Sequence, residues 1–253
     1  MSFSHILITR PRQEALELAE MLAPSEAELI VMPAYEFYAS PLFADQINQL
    51  QQAAAGFPPP LLIFTSPRAV EYGLGQIPTD VLHRSQLAAI GPTTARLLEQ
   101  AGLSVTLQPR QAYSSEDLLK ALAAQGSSRE GPASRAFIVT APGGRTALQE
   151  GLQALGYEPH MLMVYGSKSA ALDPGDIAAI DKAEALLAVW TSANTMNALS
   201  QRLPAPCWSH LCRSEWLVIS ERLRRVARAF SPRHIHLADG PTNSAIVTAI
   251  QAL

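Results

Sequence analysis

The stretch that decides the fold is His5-Ile6-Leu7-Ile8-Thr9-Arg10-Pro11, because it returns about 130 residues later as Arg135-Ala136-Phe137-Ile138-Val139-Thr140-Ala141-Pro142. Two further pairs keep nearly the same offset, 61–66 with 186–192 and 87–90 with 216–219. A repeat of this length indicates duplication of a whole domain, since the units of solenoid proteins are far shorter. Two similar domains predict a cleft between them, where small molecules usually bind.

The composition predicts a globular protein and excludes several classes of function. The chain has 253 residues, of which 48% are hydrophobic and 16% charged, enough for two cores. Its net charge of -3 argues against a nucleic-acid-binding surface, and its first residues lack the pattern of a signal peptide. The longest apolar run, 185–190, is too short to span a bilayer, and two cysteines suit a reducing compartment. We therefore expect a cytoplasmic protein that binds neither nucleic acid nor membrane.

Short apolar runs alternate with amphipathic helical patterns along the whole chain, which is typical of α/β proteins with parallel sheets. The predicted strands are 5–9, 29–33, 61–65, 87–90, 103–107, 136–140, 159–164, 186–191, 216–220 and 235–238. Ten strands predict two similar doubly wound parallel-sheet domains of the flavodoxin-like type, with five strands in each. Ser66-Pro67 predicts a helix start, and Gly102 and Gly156 predict helix ends.

The repeat allows two domain arrangements. If 37–39 and 163–167 are crossover linkers, one domain consists of 1–36 plus 168–253 and the other of 40–162. If the domains are sequential, the polar and flexible segment 125–132 is the boundary. Composition alone favours the second arrangement, and the residues leave both open.

The loops that follow the predicted strands share hydroxyls, small residues and arginines. In open α/β sheets the ligand meets these loops, and helix N-termini bind carboxylate or phosphate. Taken one at a time, Ser66, Thr94, Ser192 and Thr242 are better explained as helix caps with no ligand. Together the loops predict a polyanionic ligand, and the candidate binding residues are Arg10, Ser66, Arg68, Thr94, Arg145, Thr191, Ser192, Asn194 and Thr242.

Several familiar chemistries have no signal in this sequence. Nucleotide-binding glycine loops, metalloprotease helices and serine-hydrolase elbows are absent, so we expect either an enzyme without a cofactor or a binding module. Cys207, His210 and Cys212 lack a clear fourth ligand, so no metal site is expected. The arginines at 222, 224, 225 and 228 have helical spacing and predict a solvated face.

Tyr165 is the candidate catalytic residue. It lies in the possible crossover 163–168, where a phenol can donate a proton to a leaving group without carrying charge. The alternative is a packing tyrosine whose hydroxyl is hydrogen-bonded.

These pieces resemble the uroporphyrinogen-III synthase family, in the family's order and over nearly the whole chain. The matching segments are Ile6-Leu7-Ile8-Thr9-Arg10-Pro11, Phe64-Thr65-Ser66-Pro67-Arg68-Ala69-Val70, Ala89-Ile90-Gly91-Pro92-Thr93-Thr94-Ala95, Val164-Tyr165-Gly166-Ser167, Trp190-Thr191-Ser192-Ala193-Asn194 and Pro241-Thr242.

The resemblance implies two domains joined by a two-stranded linker, and it implies a reaction. The substrate would be hydroxymethylbilane, a linear tetrapyrrole with eight carboxylates, which the family closes with inversion of the terminal ring and loss of water, without a cofactor. The tyrosine matched by Tyr165 would assist departure of the hydroxyl, on a path through an azafulvene and a spiro intermediate. Transient contact with the preceding enzyme of the pathway is a further possibility. A non-catalytic two-domain module that binds an anionic ligand is the alternative function.

One segment departs from the family pattern. Where family members often have a second Ile-Gly-Pro-x-Thr, this chain has Ile219-Ser220-Glu221-Arg222-Leu223. Because Glu221 adds a negative charge at the helix start, we expect this loop to be a poorer receptor for a carboxylate.

Overall fold

The fold consists of two five-stranded parallel sheets and one two-stranded sheet. The structure is a computed structural model, and it describes residues 3–109, 114–124, 134–143 and 146–253. The strands are β1 (His5–Ile8), β2 (Glu28–Val31), β3 (Tyr35–Ala39), β4 (Leu61–Phe64), β5 (Gln86–Ala89), β6 (Val105–Leu107), β7 (Ser134–Thr140), β8 (Tyr157–Met163), β9 (Tyr165–Ser169), β10 (Leu186–Trp190), β11 (Glu215–Val218) and β12 (His234–Leu237). The helices are α1 (Arg12–Leu22), α2 (Ala44–Ala55), α3 (Pro67–Gly73), α4 (Thr79–Arg84), α5 (Pro92–Gln100), α6 (Ser115–Ala124), α7 (Thr146–Ala154), α8 (Pro174–Lys182), α9 (Ala193–Arg202), α10 (Ala205–Cys212), α11 (Glu221–Ala227) and α12 (Asn243–Gln251). The predicted α/β class with two five-stranded sheets is confirmed.

Each large sheet combines strands from both repeats. The first has the order β12-β11-β10-β1-β2 and the second β6-β5-β4-β7-β8, and the pairings within both are parallel. If the strands of the second sheet are counted from β7, their spatial order is the same as that of the first sheet counted from β1. The two sheets are therefore circular permutations of one arrangement, each with two strands of one repeat and three of the other.

The central strands are apolar on both faces because helices cover both faces of each sheet. Leu61–Phe64 and Leu186–Trp190 are buried at every position. On the first sheet, residues of α1 and α12 pack on one face and residues of α8 to α11 on the other. On the second sheet, α2 to α5 supply one core and α6 and α7 the other.

The chain divides into two compact units, residues 1–37 with 168–253 and residues 38–167. Strands β3 and β9 carry the chain from one unit to the other and pair with each other. The amide of Ser40 donates to the carbonyl of Val164, and that of Ala170 to that of Ala34, so the two strands run antiparallel. Because β1 pairs with β10 in the first sheet, the residues do not form two sequential domains.

Two helix ends and one helix start can be compared with the sequence. Gly102 and Gly156 follow α5 and α7 with φ of 77° and 79°, left-handed conformations that end a helix, as predicted. Helix α5 begins at Pro92 with Gly91 as its N-cap, so Thr94 is not a cap residue and its interpretation as one was wrong. Among the helices of the described ranges, none has the length and apolar character needed to cross a membrane.

The burial of the central strands predicts a large stability cost for shortening one of their side chains. Leu187→Ala removes a side chain that is fully buried in β10, and we expect it to lower the free energy of unfolding by about 2–5 kcal/mol. Leu16→Ala on α1 is the matched control, since Leu16 is 47% exposed, and it should change stability by less than about 0.5 kcal/mol. Urea denaturation measures both; equal losses would contradict the assignment of Leu187 to the core.

Candidate functional site

Each large sheet has a point where adjacent strands lead to helices on opposite faces. In the first sheet this point lies between β1, which leads to α1, and β10, which leads to α9. In the second sheet it lies between β7 and β4. Ligands of open α/β sheets bind in the crevice that forms there, at the carboxyl ends of the strands. Arg10, Ser66, Arg68, Thr191, Ser192 and Asn194 follow these strand ends, whereas Thr94 follows β5 and Thr242 follows β12.

A threonine connects the central strands at both of these points. The hydroxyl and the backbone amide of Thr9 both donate to the carbonyl of Val189, at 2.7 Å and 3.4 Å. Thr65 does the same to the carbonyl of Val139, at 3.1 Å and 3.2 Å. Its hydroxyl oxygen is also 3.0 Å from that of Thr140. These bonds fix the start of each loop against the neighbouring strand, although sequence reasoning assigned neither Thr9 nor Thr65 a role.

Tyr165 and Ser66 lie together at the second sheet. The Tyr165 hydroxyl is 3.1 Å from Ser66 Oγ, and either group can donate. Ser66 Oγ also accepts a hydrogen bond from the amide of Ala69 at 3.1 Å and so caps α3. The ring of Tyr72 stacks on that of Tyr165, with centroids 5.6 Å apart and planes 17° apart. The phenol is thus held by a hydrogen bond at its oxygen and by a stacked ring at its face.

The other predicted residues of this unit lie in different settings. The Arg68 guanidinium is 3.4 Å from the Glu71 carboxylate, so its charge is partly balanced within α3. Thr94 is 2% exposed in the first turn of α5. Arg145 lies outside the described residues.

Arg10 and Thr242 are brought together at the first sheet. Arg10 Nη1 donates to the carbonyl of Pro241 at 2.8 Å, which ties the loop after β1 to the loop after β12. Burial lowers the pKa of the Arg10 guanidinium, against the raising effect of the Glu14 and Glu17 carboxylates. Thr242 Oγ1 accepts from the amide of Ala245 at 3.2 Å and caps α12. In the structure Arg10 therefore positions a loop, while its Nε is buried and has no partner among the described residues.

Thr191, Ser192 and Asn194 line one pocket of about 270 Å³ at the carboxyl ends of β10 and β11. Ser220 and Arg222 complete its polar lining. A larger pocket of about 430 Å³, lined in part by Phe3, Met21 and Ile250, lies near the amino end of β1. Because ligands of this fold bind at the carboxyl ends, we assign the candidate site to the smaller pocket.

The cysteines and His210 lie on α10, away from these loops. Burial raises the pKa of the Cys207 thiol to about 12, with a further contribution from Asp181, and burial also raises that of Cys212. His210 Nε2 is 3.0 Å from the carbonyl of Ala183. Within the described ranges, no group of three or more His, Cys, Asp or Glu residues is placed to hold a metal ion.

Two residues of the candidate site were missed by sequence reasoning. Tyr72 lies less than two turns beyond the Ser66 cap, on the helical face that meets Tyr165, and helical periodicity from Ser66 is a signal that would have found it. Arg222 was interpreted only as part of a solvated face, although it follows β11 where Thr93 follows β5 in the other repeat. Comparison of the two repeats would have placed it in a strand-end loop.

Comparison with known proteins identifies one family. A family model described as "Uroporphyrinogen-III synthase HemD" matches residues 6–248. The uroporphyrinogen-III synthase of Escherichia coli (strain K12) is 29% identical in an alignment of 254 positions that covers 97% of this chain and 99% of that protein.

Two solved structures share the fold. A mutant uroporphyrinogen III synthase from the extremely thermophilic bacterium Thermus thermophilus has a TM-score of 0.58 and 20% identity, covering 98% of this chain and 99% of its own. The uroporphyrinogen-III synthetase of Helicobacter pylori 26695 has a TM-score of 0.57 and 17% identity, covering 100% and 99%. At these identities the two likenesses show the fold alone.

The double role of Ser66 predicts an energetic coupling between Ser66 and Tyr165. Ser66→Ala removes a helix cap worth about 1 kcal/mol and also the hydrogen bond to the phenol. A double-mutant cycle of Ser66→Ala with Tyr165→Phe, measured by urea denaturation, should give a coupling of about 0.5–1.5 kcal/mol.

Thr242→Ala is the control, because it removes an equivalent cap from α12 with no bond to Tyr165. Its coupling to Tyr165→Phe should be below about 0.3–0.5 kcal/mol. If the two cycles give the same coupling, the hydrogen bond between Ser66 and Tyr165 contributes nothing.

Proposed function

Since the chain belongs to the uroporphyrinogen-III synthase family, we propose that it is a cyclising lyase that converts hydroxymethylbilane to uroporphyrinogen III. The ring closes with inversion of the terminal pyrrole and loss of water, without a cofactor. The observation that carries the proposal is the family match over residues 6–248, a range that includes every described candidate residue and, apart from His5, both large sheets. The alternative of a non-catalytic module for an anionic ligand has no observation of its own in its favour.

We propose that the substrate carboxylates are held by the strand-end loops, and that the two compact units are the two domains of the enzyme. Thr191, Ser192 and Asn194 offer hydroxyl and amide donors in one pocket. Helix α9 begins directly after Ser192, so its first amides are donors that can bind an anion. Neutral donors of this kind can hydrogen-bond the oxygens of a carboxylate directly.

Tyr165 is proposed to donate its phenolic proton to the terminal hydroxyl of the bilane. The carbon–oxygen bond breaks, water leaves, and the lone pair of the pyrrole nitrogen forms the N-protonated azafulvene. The phenolate then takes up this N–H proton, which leaves the neutral azafulvene and restores the phenol. A phenol is suited to this step because it is neutral before the transfer and can recover its proton later in the reaction. The half-buried ring is held against Tyr72, so the position of the hydroxyl depends little on side-chain rotation.

Ser66 is proposed to support Tyr165 during this transfer. Ser66 Oγ accepts the amide hydrogen of Ala69, and its own proton is then free to be donated to the oxygen of Tyr165. A donor in this direction stabilises the phenolate that forms. Ser66 therefore acts through Tyr165 as a positioning residue.

The main contribution of the protein is proposed to be geometric. The two ends of a linear tetrapyrrole must meet in one orientation, and holding reacting groups in place can lower a barrier by about 7–11 kcal/mol. The described loops hold their shapes through the Thr9, Thr65 and Arg10 hydrogen bonds. A fixed binding surface then matters more than strong acid or base groups.

We also propose that the protein works in the cytoplasm and meets the preceding enzyme of its pathway transiently. Cys207 and Cys212 are both free thiols, which suits a reducing compartment. Because the linear substrate also cyclises without an enzyme, direct transfer from the preceding enzyme would shorten the time that it spends free in solution.

The isomer of the product tests the reaction. Purified protein supplied with freshly generated hydroxymethylbilane should yield the type III isomer, measured by chromatography of the oxidised products. Exclusive type I product at the uncatalysed rate would overturn the proposal, because that isomer forms without an enzyme.

Replacement of the Tyr165 hydroxyl tests its role. Tyr165→Phe should lower kcat by about 10²-fold, the usual contribution of a positioned proton donor, with KM changed less than about threefold. Tyr72→Phe is the matched control, since it also removes one phenolic oxygen but keeps the stacked ring. A kcat for Tyr165→Phe equal to that of wild type would remove Tyr165 from the mechanism.

A further inference from the structure

We propose that Arg222 binds one carboxylate of the substrate in the pocket at the ends of β10 and β11. The chemical class of the group bound is a short carboxylate side chain of the tetrapyrrole, so the inference rests on the proposed function. Arg222 would be a binding residue that the family pattern does not indicate.

The first argument is the shape and chemistry of the pocket. Its volume of about 270 Å³ falls just below the range of roughly 300–1,000 Å³ that is usual for whole small-molecule ligands, so it suits one substituent rather than a tetrapyrrole. One cationic side chain and several neutral polar ones line it, and none of the described residues lining it is acidic. These groups match the oxygens of a carboxylate.

The second argument is that the donors are available. In the described part of the chain, the side chains of Arg222, Thr191 and Asn194 have no hydrogen-bond or ion-pair partner. Ser192, although it precedes α9, makes no side-chain cap bond. Ser220 is different, because its Oγ accepts from the amide of Leu223 at 3.2 Å and so fixes the start of α11.

The third argument concerns Glu221, whose negative charge was expected to make this loop a poorer receptor for a carboxylate. Its carboxylate is 3.1 Å from Arg224 Nη1 and does not line the pocket. Its charge is therefore compensated one turn along α11, while the adjacent Arg222 faces the pocket. The departure from the family pattern exchanges a Gly-Pro helix start for a capped start that carries an arginine.

A guanidinium recognises a carboxylate through two parallel N–H donors, which gives direction as well as attraction. Removal of an exposed partner of this kind weakens binding about tenfold, the lower end of the effect for hydrogen bonds to charged groups. The effect should shrink as salt rises, since screening acts on accessible charges.

The experiment compares Arg222→Gln with Arg225→Gln. Arg225 is an exposed arginine on the same helix and does not line the pocket, so its replacement makes the same change in net charge. Two quantities are measured at low and at high salt, steady-state turnover of hydroxymethylbilane and the Kd of uroporphyrin, the stable oxidised form of the product. Arg222→Lys shows whether the fork of donors or only the charge is needed.

We expect Arg222→Gln to raise KM and the Kd of uroporphyrin about tenfold at low salt, with kcat within about twofold of wild type. Arg225→Gln should behave as wild type, and Arg222→Lys should recover only part of the affinity. Equal affinities for wild type and Arg222→Gln, or equal losses in the two glutamine variants, would overturn the inference.

The two proposals fail separately. A wild-type protein that makes the type III isomer while Arg222→Gln binds normally contradicts only the role of Arg222. A wild-type protein that makes no type III isomer, yet binds uroporphyrin with the dependence on Arg222, contradicts the reaction and supports the pocket.

Discussion

The parallel pairing of β1 with β10 is the constraint on which the first unit depends. Its register places Ile8 beside Val189, so the loops that follow these two strands begin side by side. Thr9 then joins the two strand ends through two hydrogen bonds to the carbonyl of Val189. In the second unit, Phe64 lies beside Val139, and Thr65 joins the two strand ends in the same way. The chemistry at both strand ends therefore follows from backbone pairing, and only afterwards from the choice of side chains.

The elements that the sequence predicted well are those with a strong local signal. Buried parallel strands must be apolar on both faces, and each of the ten predicted runs corresponds to a strand of the two large sheets. Ser66-Pro67 was predicted correctly as a helix start because a serine cap and a proline at the first helical position act within four residues. The domain arrangement and the reaction were predicted from the family resemblance, because a match of short motifs in a fixed order relates regions that no local pattern connects.

The features that were missed depend on contacts between distant segments. Strands β3 and β9 are largely accessible to solvent, with Gly166 as their one buried residue, and Glu36 and Lys168 form an ion pair at 3.1 Å, so no buried apolar run marked them as strands. The pocket position of Arg222 depends on how α11 packs beside α9, and a helical repeat of arginines cannot show which one faces it. Thr94 was misplaced because the proline two residues earlier had already started the helix.

The permuted strand order also governs how the chain can fold while it is being synthesised. All strands of the second sheet lie between Leu61 and Met163, so that sheet can assemble once this stretch has left the ribosome. Strands β1 and β2 emerge first, yet β1 waits for β10, which begins only at Leu186. Contacts this far apart in the chain form slowly and leave apolar strands uncovered in the meantime. The unit that contains β1 is thus the later of the two to close, and Ile6, Leu7 and Ile8 stay without their β10 partners until it does.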